Sequence, residues 1–121
     1  MSLILIHNRL SLSILLYVII LFSWGFWGFI RKNGVSSSYW GALIIAEILI
    51  LGQGALGTIL YFIGLQPERG GMHVLYGIVG SLGIPAVLIF TKGRNDRQTL
   101  FVYTAVLLLI AVIFIRSIVT G

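Results

Sequence analysis

Apolar residues run along this chain in four long blocks, 3–30, 39–64, 72–90 and 99–119, and polar residues collect in the gaps between them. Each block has the length that a helix needs to cross a bilayer, about 20 mostly apolar residues. The gaps hold most of the charge: Arg31 and Lys32, then Glu68 and Arg69, then Lys92, Arg94, Asp96 and Arg97. A soluble domain of 121 residues has too much surface for its volume to hide so many apolar side chains. The pattern therefore predicts an all-α membrane protein, four transmembrane helices in an antiparallel bundle that forms a single domain over 1–121.

Composition sharpens this picture. The chain is 59% hydrophobic and 9% charged, against about 25% charged residues in average soluble domains. The absence of cysteine excludes disulfides, iron–sulfur clusters, thiol chemistry and c-type haem attachment. The net charge of +5 is no nucleic-acid signal, because the basic residues sit at helix ends, where they meet lipid phosphates. Arg31, Lys32, Lys92, Arg94 and Arg97 fall on one side of the membrane and Arg9, Arg69 and Arg116 on the other. The positive-inside rule then places the first and third loops in the cytoplasm and both termini on the outer, periplasmic side of a bacterial inner membrane. The first apolar run exceeds a signal-peptide core, so the first helix is expected to serve as an uncleaved anchor.

Local signals refine the elements. Trp24, Trp27, Tyr39 and Trp40 bracket the first loop and are expected at the cytoplasmic interface, which aromatic rings favour. Ser38 is a candidate N-cap for the second helix and Thr99 for the fourth. Pro67 with Gly70 and Gly71 marks the second turn, and Pro85 is expected to kink the third helix. Gly54, Gly57, Gly77 and Gly80 are candidate helix-packing positions, since small residues let membrane helices approach closely. No internal repeat is visible.

Few polar residues are available for chemistry. His7 and His73 are the only histidines, and both fall near the outer start of a helix. Two histidines on different helices of a bundle can ligate a b-type haem from opposite faces. Gly77 and Gly80 follow His73 on one helix side and leave room for a flat macrocycle. Arg9, Arg69 and Arg116 belong to the same end and suit haem propionates. The competing account makes the histidines interfacial and the glycines packing residues. Glu47 and Gln53 are the intramembrane polar residues of the second helix. Glu47 reads either as a proton-relay or substrate-binding acid of a small transporter, or as a carboxyl that fixes helix contacts through Gln53, Tyr17 or Thr104. Arg116 is expected to snorkel to the headgroups, or to pair with Glu68 or a cofactor carboxylate. Tyr61 and Tyr76 read as interface anchors. With no phosphate loop, no nucleophile–base pair and no local metal-ligand spacing, the chain does not read as an enzyme.

Four short stretches carry a family resemblance: His7 with Arg9; Gln53–Gly54–Ala55–Leu56–Gly57; His73–Val74–Leu75–Tyr76–Gly77; and Arg116 with Thr120–Gly121. In these the chain loosely resembles short four-helix bacterial membrane proteins described as cytochrome-b-like. In size and character it is similar to accessory subunits of quinol-oxidising assemblies such as alternative complex III. The first resemblance implies haem. The lack of a histidine in the second or fourth helix speaks against a multi-haem path across the membrane.

Three functions follow, in order. The leading expectation is an accessory transmembrane subunit of a respiratory or photosynthetic electron-transfer complex, bracing other integral membrane subunits and holding lipid or quinone at the boundary, with no cofactor of its own. The second is a b-type cytochrome with one haem between His7 and His73. The third is a small proton-coupled transporter using Glu47, although multidrug transporters of this size carry their acid in the first helix.

Overall fold

The computed structural model describes residues 3–64 and 70–120. These form four α-helices, α1 (Leu3–Ile30), α2 (Ser37–Phe62), α3 (Gly70–Thr91) and α4 (Arg97–Thr120), with no strand among the described residues. The turn expected around Pro67, with Glu68 and Arg69, lies outside the described residues. All four helices are long and apolar enough to cross a membrane, and the rest of the protein buries only 22 to 44% of each spanning stretch. The remainder faces outward with large apolar side chains, among them Phe62, Ile89 and Phe90, each more than three-quarters exposed. Such a surface would drive association in water, but hydrocarbon is as apolar as the side chains themselves. The fold is that of a multi-pass membrane protein.

The helices follow one another around a ring. α1 packs on α2 and α4, and α3 packs on α2 and α4; among the described residues the backbones of the two diagonal pairs stay apart, and only side chains such as Trp40 and Tyr103 meet across the ring. The α1–α4 seam is the most extensive and the α2–α3 seam the thinnest. Along α1 the partners on α2 run in reverse order. Ser11 meets Gln53, the Tyr17 hydroxyl donates to the Ala42 carbonyl at 2.8 Å, and the Tyr39 hydroxyl donates to the Leu21 carbonyl at 3.2 Å. Ile14, Val18, Leu43, Ala46, Tyr103 and Leu107 fill the centre with no exposed surface. Tyr39 belongs to this core rather than to the interface, with its ring edge-on to Trp24 at 5.1 Å. Trp24 and Trp27 remain exposed. The reason is local: Gly25 leaves a gap on α1 that the Tyr39 ring enters. A Cβ at Gly25 would stand 2.5 Å from Thr104 Oγ1 and 2.6 Å from Tyr39 Oη.

Both predicted caps move upstream. Ser36, not Ser38, caps α2: its backbone is extended and its hydroxyl accepts from the Tyr39 N–H at 3.1 Å. Asp96, not Thr99, caps α4, accepting from the Thr99 N–H at 2.9 Å and from the Thr99 hydroxyl. Thr99 is buried within the first turn of the helix. Both helices thus begin two residues before their apolar blocks, because a cap and first turn are polar and invisible to hydropathy. α1 and α3 end alike. Lys32 (φ 63°) and Lys92 (φ 54°) turn left-handed, so that the Asn33 N–H reaches the Gly28 carbonyl and the Gly93 N–H that of Leu88. The two loops are tied by the Val35 N–H to the Asn95 carbonyl at 2.8 Å. Pro85 lies inside α3, which continues through it to Thr91.

Two expectations follow. Gly25→Ala should destabilise the bundle by about 1–3 kcal/mol through overpacking, whereas Gly52→Ala, with nothing within 4 Å of its added methyl, should not. Thermal unfolding in detergent separates them, and equal melting temperatures would remove the close-packing account. The hydrogen bonds from Thr99, aided by the charge of Arg94, hold the Asp96 carboxyl below its usual range. Its contribution is therefore present above the unfolded value, about 3.9, and lost as pH falls through the lower folded value. Acid melting curves should show this loss in the native chain and not in Asp96→Ala.

Candidate functional site

His7 lies in the second turn of α1 and His73 in the first turn of α3, on helices that occupy opposite corners of the ring. Their side chains nevertheless meet across the interior, with ring centres 6.2 Å apart and ring planes inclined by 59°. Each ring is braced by a neighbouring helix. His73 Nδ1 stands 3.3 Å from the Ser117 hydroxyl of α4. The His7 ring lies against Gly57 of α2, where a Cβ would approach its Cε1 to 3.2 Å. Gly57 is thus the space for an imidazole rather than a general packing position. Gln53 holds the same stretch of α1 from the side: its Nε2 donates to the His7 carbonyl at 2.8 Å and also to the Ser11 hydroxyl.

The two rings open onto a cavity of about 700 Å³ to which all four helices contribute. Its lining residues on α1 and α4 are buried or partly buried, while every exposed one, including Leu51, Phe62, Val74, Ile78 and Leu82, comes from α2 or α3. The mouth therefore lies on the thinnest seam of the ring and faces the surroundings of the helices. Gly54 and Gly77 keep it open. A Cβ at Gly54 would find only Ser81 Oγ, at 3.9 Å, and one at Gly77 would find nothing within 4 Å. Gly80, by contrast, packs on Phe114 and Ile113 of α4.

Gln53 is 7% exposed, and its Oε1 has no hydrogen-bond partner among the described residues. The assignment of its two amide atoms is fixed chemically, because the His7 carbonyl can only accept and so must face the nitrogen. Glu47 is half-buried, with one carboxyl oxygen shielded and unpartnered. None of the partners expected for it is engaged with it. Tyr17 donates to Ala42, Thr104 to the Leu100 carbonyl, and Gln53 to His7. Glu47 does not line the cavity. Arg9 and Arg116 are exposed, while Arg69 and Glu68 are outside the described residues. Tyr61 and Tyr76 line the cavity rather than serving only as anchors.

Four hydroxyl residues of the site carried no weight in the sequence: Ser11, Thr58, Ser81 and Ser117. A signal was there in their spacing. Ser11 follows His7 by one helical turn, Thr58 follows Gly54 and Ser81 follows Gly77 by the same interval, so each shares a helix face with a residue already singled out.

No cluster of three or more histidine, cysteine or acidic residues occurs among the described residues. A metal held by His7 and His73 must therefore bring its remaining ligands with it. No protein-family model, curated protein or solved structure matches the chain.

Proposed function

We propose that the chain is a small electron-transfer subunit of a larger membrane complex, a b-type cytochrome that holds one haem between His7 and His73. The observation that carries this reading is the 6.2 Å between the two ring centres. Two imidazoles bonded to one metal at about 2.0–2.1 Å each have ring centres about 6 Å apart once half a ring is added at either end. Three further features support it. A two-histidine site suits a metal that arrives with four ligands of its own, as in a porphyrin. The cavity of about 700 Å³ lies within the usual range for cofactor sites, about 300–1,000 Å³. The Ser117 contact at His73 Nδ1 is the kind of outer partner that orients a ligating imidazole and sets its tautomer.

Bound haem supplies one-electron chemistry. The chain supplies two neutral imidazoles, a water-poor apolar wall, and Arg9 and Arg116 toward the same end for propionate charge. The helices form an antiparallel bundle with both termini on the outer side of a bacterial inner membrane, which places the histidines in the outer leaflet. One such site does not span the bilayer, so an electron must pass to or from another subunit. The outward apolar faces of the helices suit lipid and neighbouring helices alike. This reading keeps the expectation of a respiratory or photosynthetic assembly and assigns the chain a cofactor that the leading sequence expectation did not.

The dithionite-reduced protein, purified in mild detergent, should show the sharp α-band of a six-coordinate b haem. The band should disappear in His7→Ala and in His73→Ala, and added imidazole should restore part of it in either variant. A native chain without an α-band, or variants that keep it, would remove the proposal.

A further inference from the structure

Arg97 begins α4 at the end of the bundle opposite the two histidines, where the apolar span Arg97–Ile118 starts. It is exposed, yet α1 holds its guanidinium in place. The Nε–H donates to the Phe29 carbonyl at 2.9 Å, and the guanidinium carbon stands 4.0 Å from the centre of the Phe29 ring. Arginine has five N–H donors, so this tie leaves four, all on the terminal nitrogens. Below Arg97 the outer edge of the α1–α4 seam is apolar. Phe101 follows Arg97 by one helical turn and Leu108 by three, which sets all three on one side of α4. That side borders α1, because the Phe101 and Phe29 rings lie 5.1 Å apart. Phe29, Phe26 and Phe22 form the matching row on α1, with Phe22 and Phe26 stacked at 6.1 Å. Phe26, Phe101 and Leu108 are each half exposed. Leu108 comes about 16 Å along the helix from Arg97, which matches the hydrocarbon depth of one leaflet, about half of 30 Å.

We propose that this edge is a binding site for one anionic phospholipid, with the headgroup phosphate on Arg97 and an acyl chain laid along Phe101 and Leu108. A guanidinium already fixed by a carbonyl and a ring loses little freedom when it binds a phosphate, and its planar fork suits two phosphate oxygens. The preference for a net negative headgroup comes from the surroundings. Lys92 and Arg94 precede Arg97, and Arg31 and Lys32 lie on the tied neighbouring loop. Asp96 is the sole acid at this end, and its Oδ1 already accepts from the Thr99 N–H and hydroxyl. The ammonium of a zwitterionic headgroup therefore meets like charge, whereas a headgroup with a phosphate and no cation meets complementary charge. Hydrocarbon gains little from one apolar face over another, so the chain sets the position of the lipid and Arg97 sets the choice. Arg31 differs from Arg97 in its setting. Its guanidinium stands 5.9 Å from the Trp27 ring, and Trp27 lies about 200° around α1 from Phe29. The site does not depend on the haem reading, since His7 is at the other end of α1.

The test titrates the full-length protein in mild detergent with dioleoyl-phosphatidylglycerol and, separately, with dioleoyl-phosphatidylethanolamine, and follows the first bound lipid by native mass spectrometry. Phosphatidylglycerol should bind about fivefold or more tightly than phosphatidylethanolamine. Arg97→Gln should abolish that preference, and Arg31→Gln, which removes the same charge from the same end, should keep it. Phe29→Leu leaves the carbonyl tie intact and removes only the ring beneath the guanidinium. It should weaken phosphatidylglycerol about two- to fivefold, and it tests the same point if Arg97→Gln fails to fold. Equal affinity for the two lipids in the native chain overturns the proposal, as does a preference that survives both Arg97→Gln and Phe29→Leu. An equal loss in Arg31→Gln overturns it in favour of general surface charge. Inorganic phosphate that displaces the lipid at equal concentration would reveal a free-anion site and overturn the lipid assignment.

Discussion

Hydrocarbon gives a helix no reason to hide a leucine and no way to satisfy a carbonyl, and both consequences are visible throughout this bundle. Because burial of apolar surface is not the driving force, the helices are held by close approach at small residues and by hydrogen bonds. Tyr39 shows this best. Its ring fills the gap left by Gly25, its hydroxyl donates to Leu21, and Thr104 of α4 meets the same gap. Three helices are thereby registered at one point. At the other end Gln53 does the same for α1 and α2 by gripping the His7 carbonyl and Ser11. The rest of the site takes its position from these two ties.

The same constraint makes the exceptions informative. In water an unpaired amide oxygen finds a solvent molecule; within a membrane it must wait for a ligand or another protein group. Most polar side chains here are satisfied by the simplest device available, a hydroxyl returning its proton to the carbonyl one turn back, as at Ser13, Ser23, Thr91 and Thr104. Against that background the unpartnered buried oxygens of Gln53, Glu47 and Tyr103 stand apart. Gln53 is among the residues that line the cavity. Glu47 lies outside the cavity lining.

Position around the ring also decides which seam can open. The α1–α4 seam is closed by Gly25 and Gly28 meeting Thr104 and Leu100, and the α3–α4 seam by Gly80 and Gly83 meeting side chains of α4. On the α2–α3 seam Gly54 and Gly77 face space instead. The same residue type therefore serves contact on two seams and leaves space on a third. A small-residue pattern read along a single helix does not distinguish these uses.

Much of the architecture was legible in the chain itself, because length and hydropathy are properties of single segments. Four spans, their loops and the scarcity of titratable groups followed from counting residues. Helix starts were misplaced by two residues because Ser36 and Asp96 act through the N–H groups of Tyr39 and Thr99, a geometry that apolar runs do not encode. Tyr39 passed for an interface anchor because its gap lies on another helix. His7 and His73 were identifiable as the only histidines, but their meeting depends on the order of four helices around a ring and on the rotation of α1 and α3, which short loops leave open. Tertiary packing alone decided that the two ring centres stand 6.2 Å apart, that Gly57 makes room for one of them, and that Gln53 ties α2 to α1 at the His7 carbonyl. Such facts arise from residues far apart in the chain, and they exist only once helices pack.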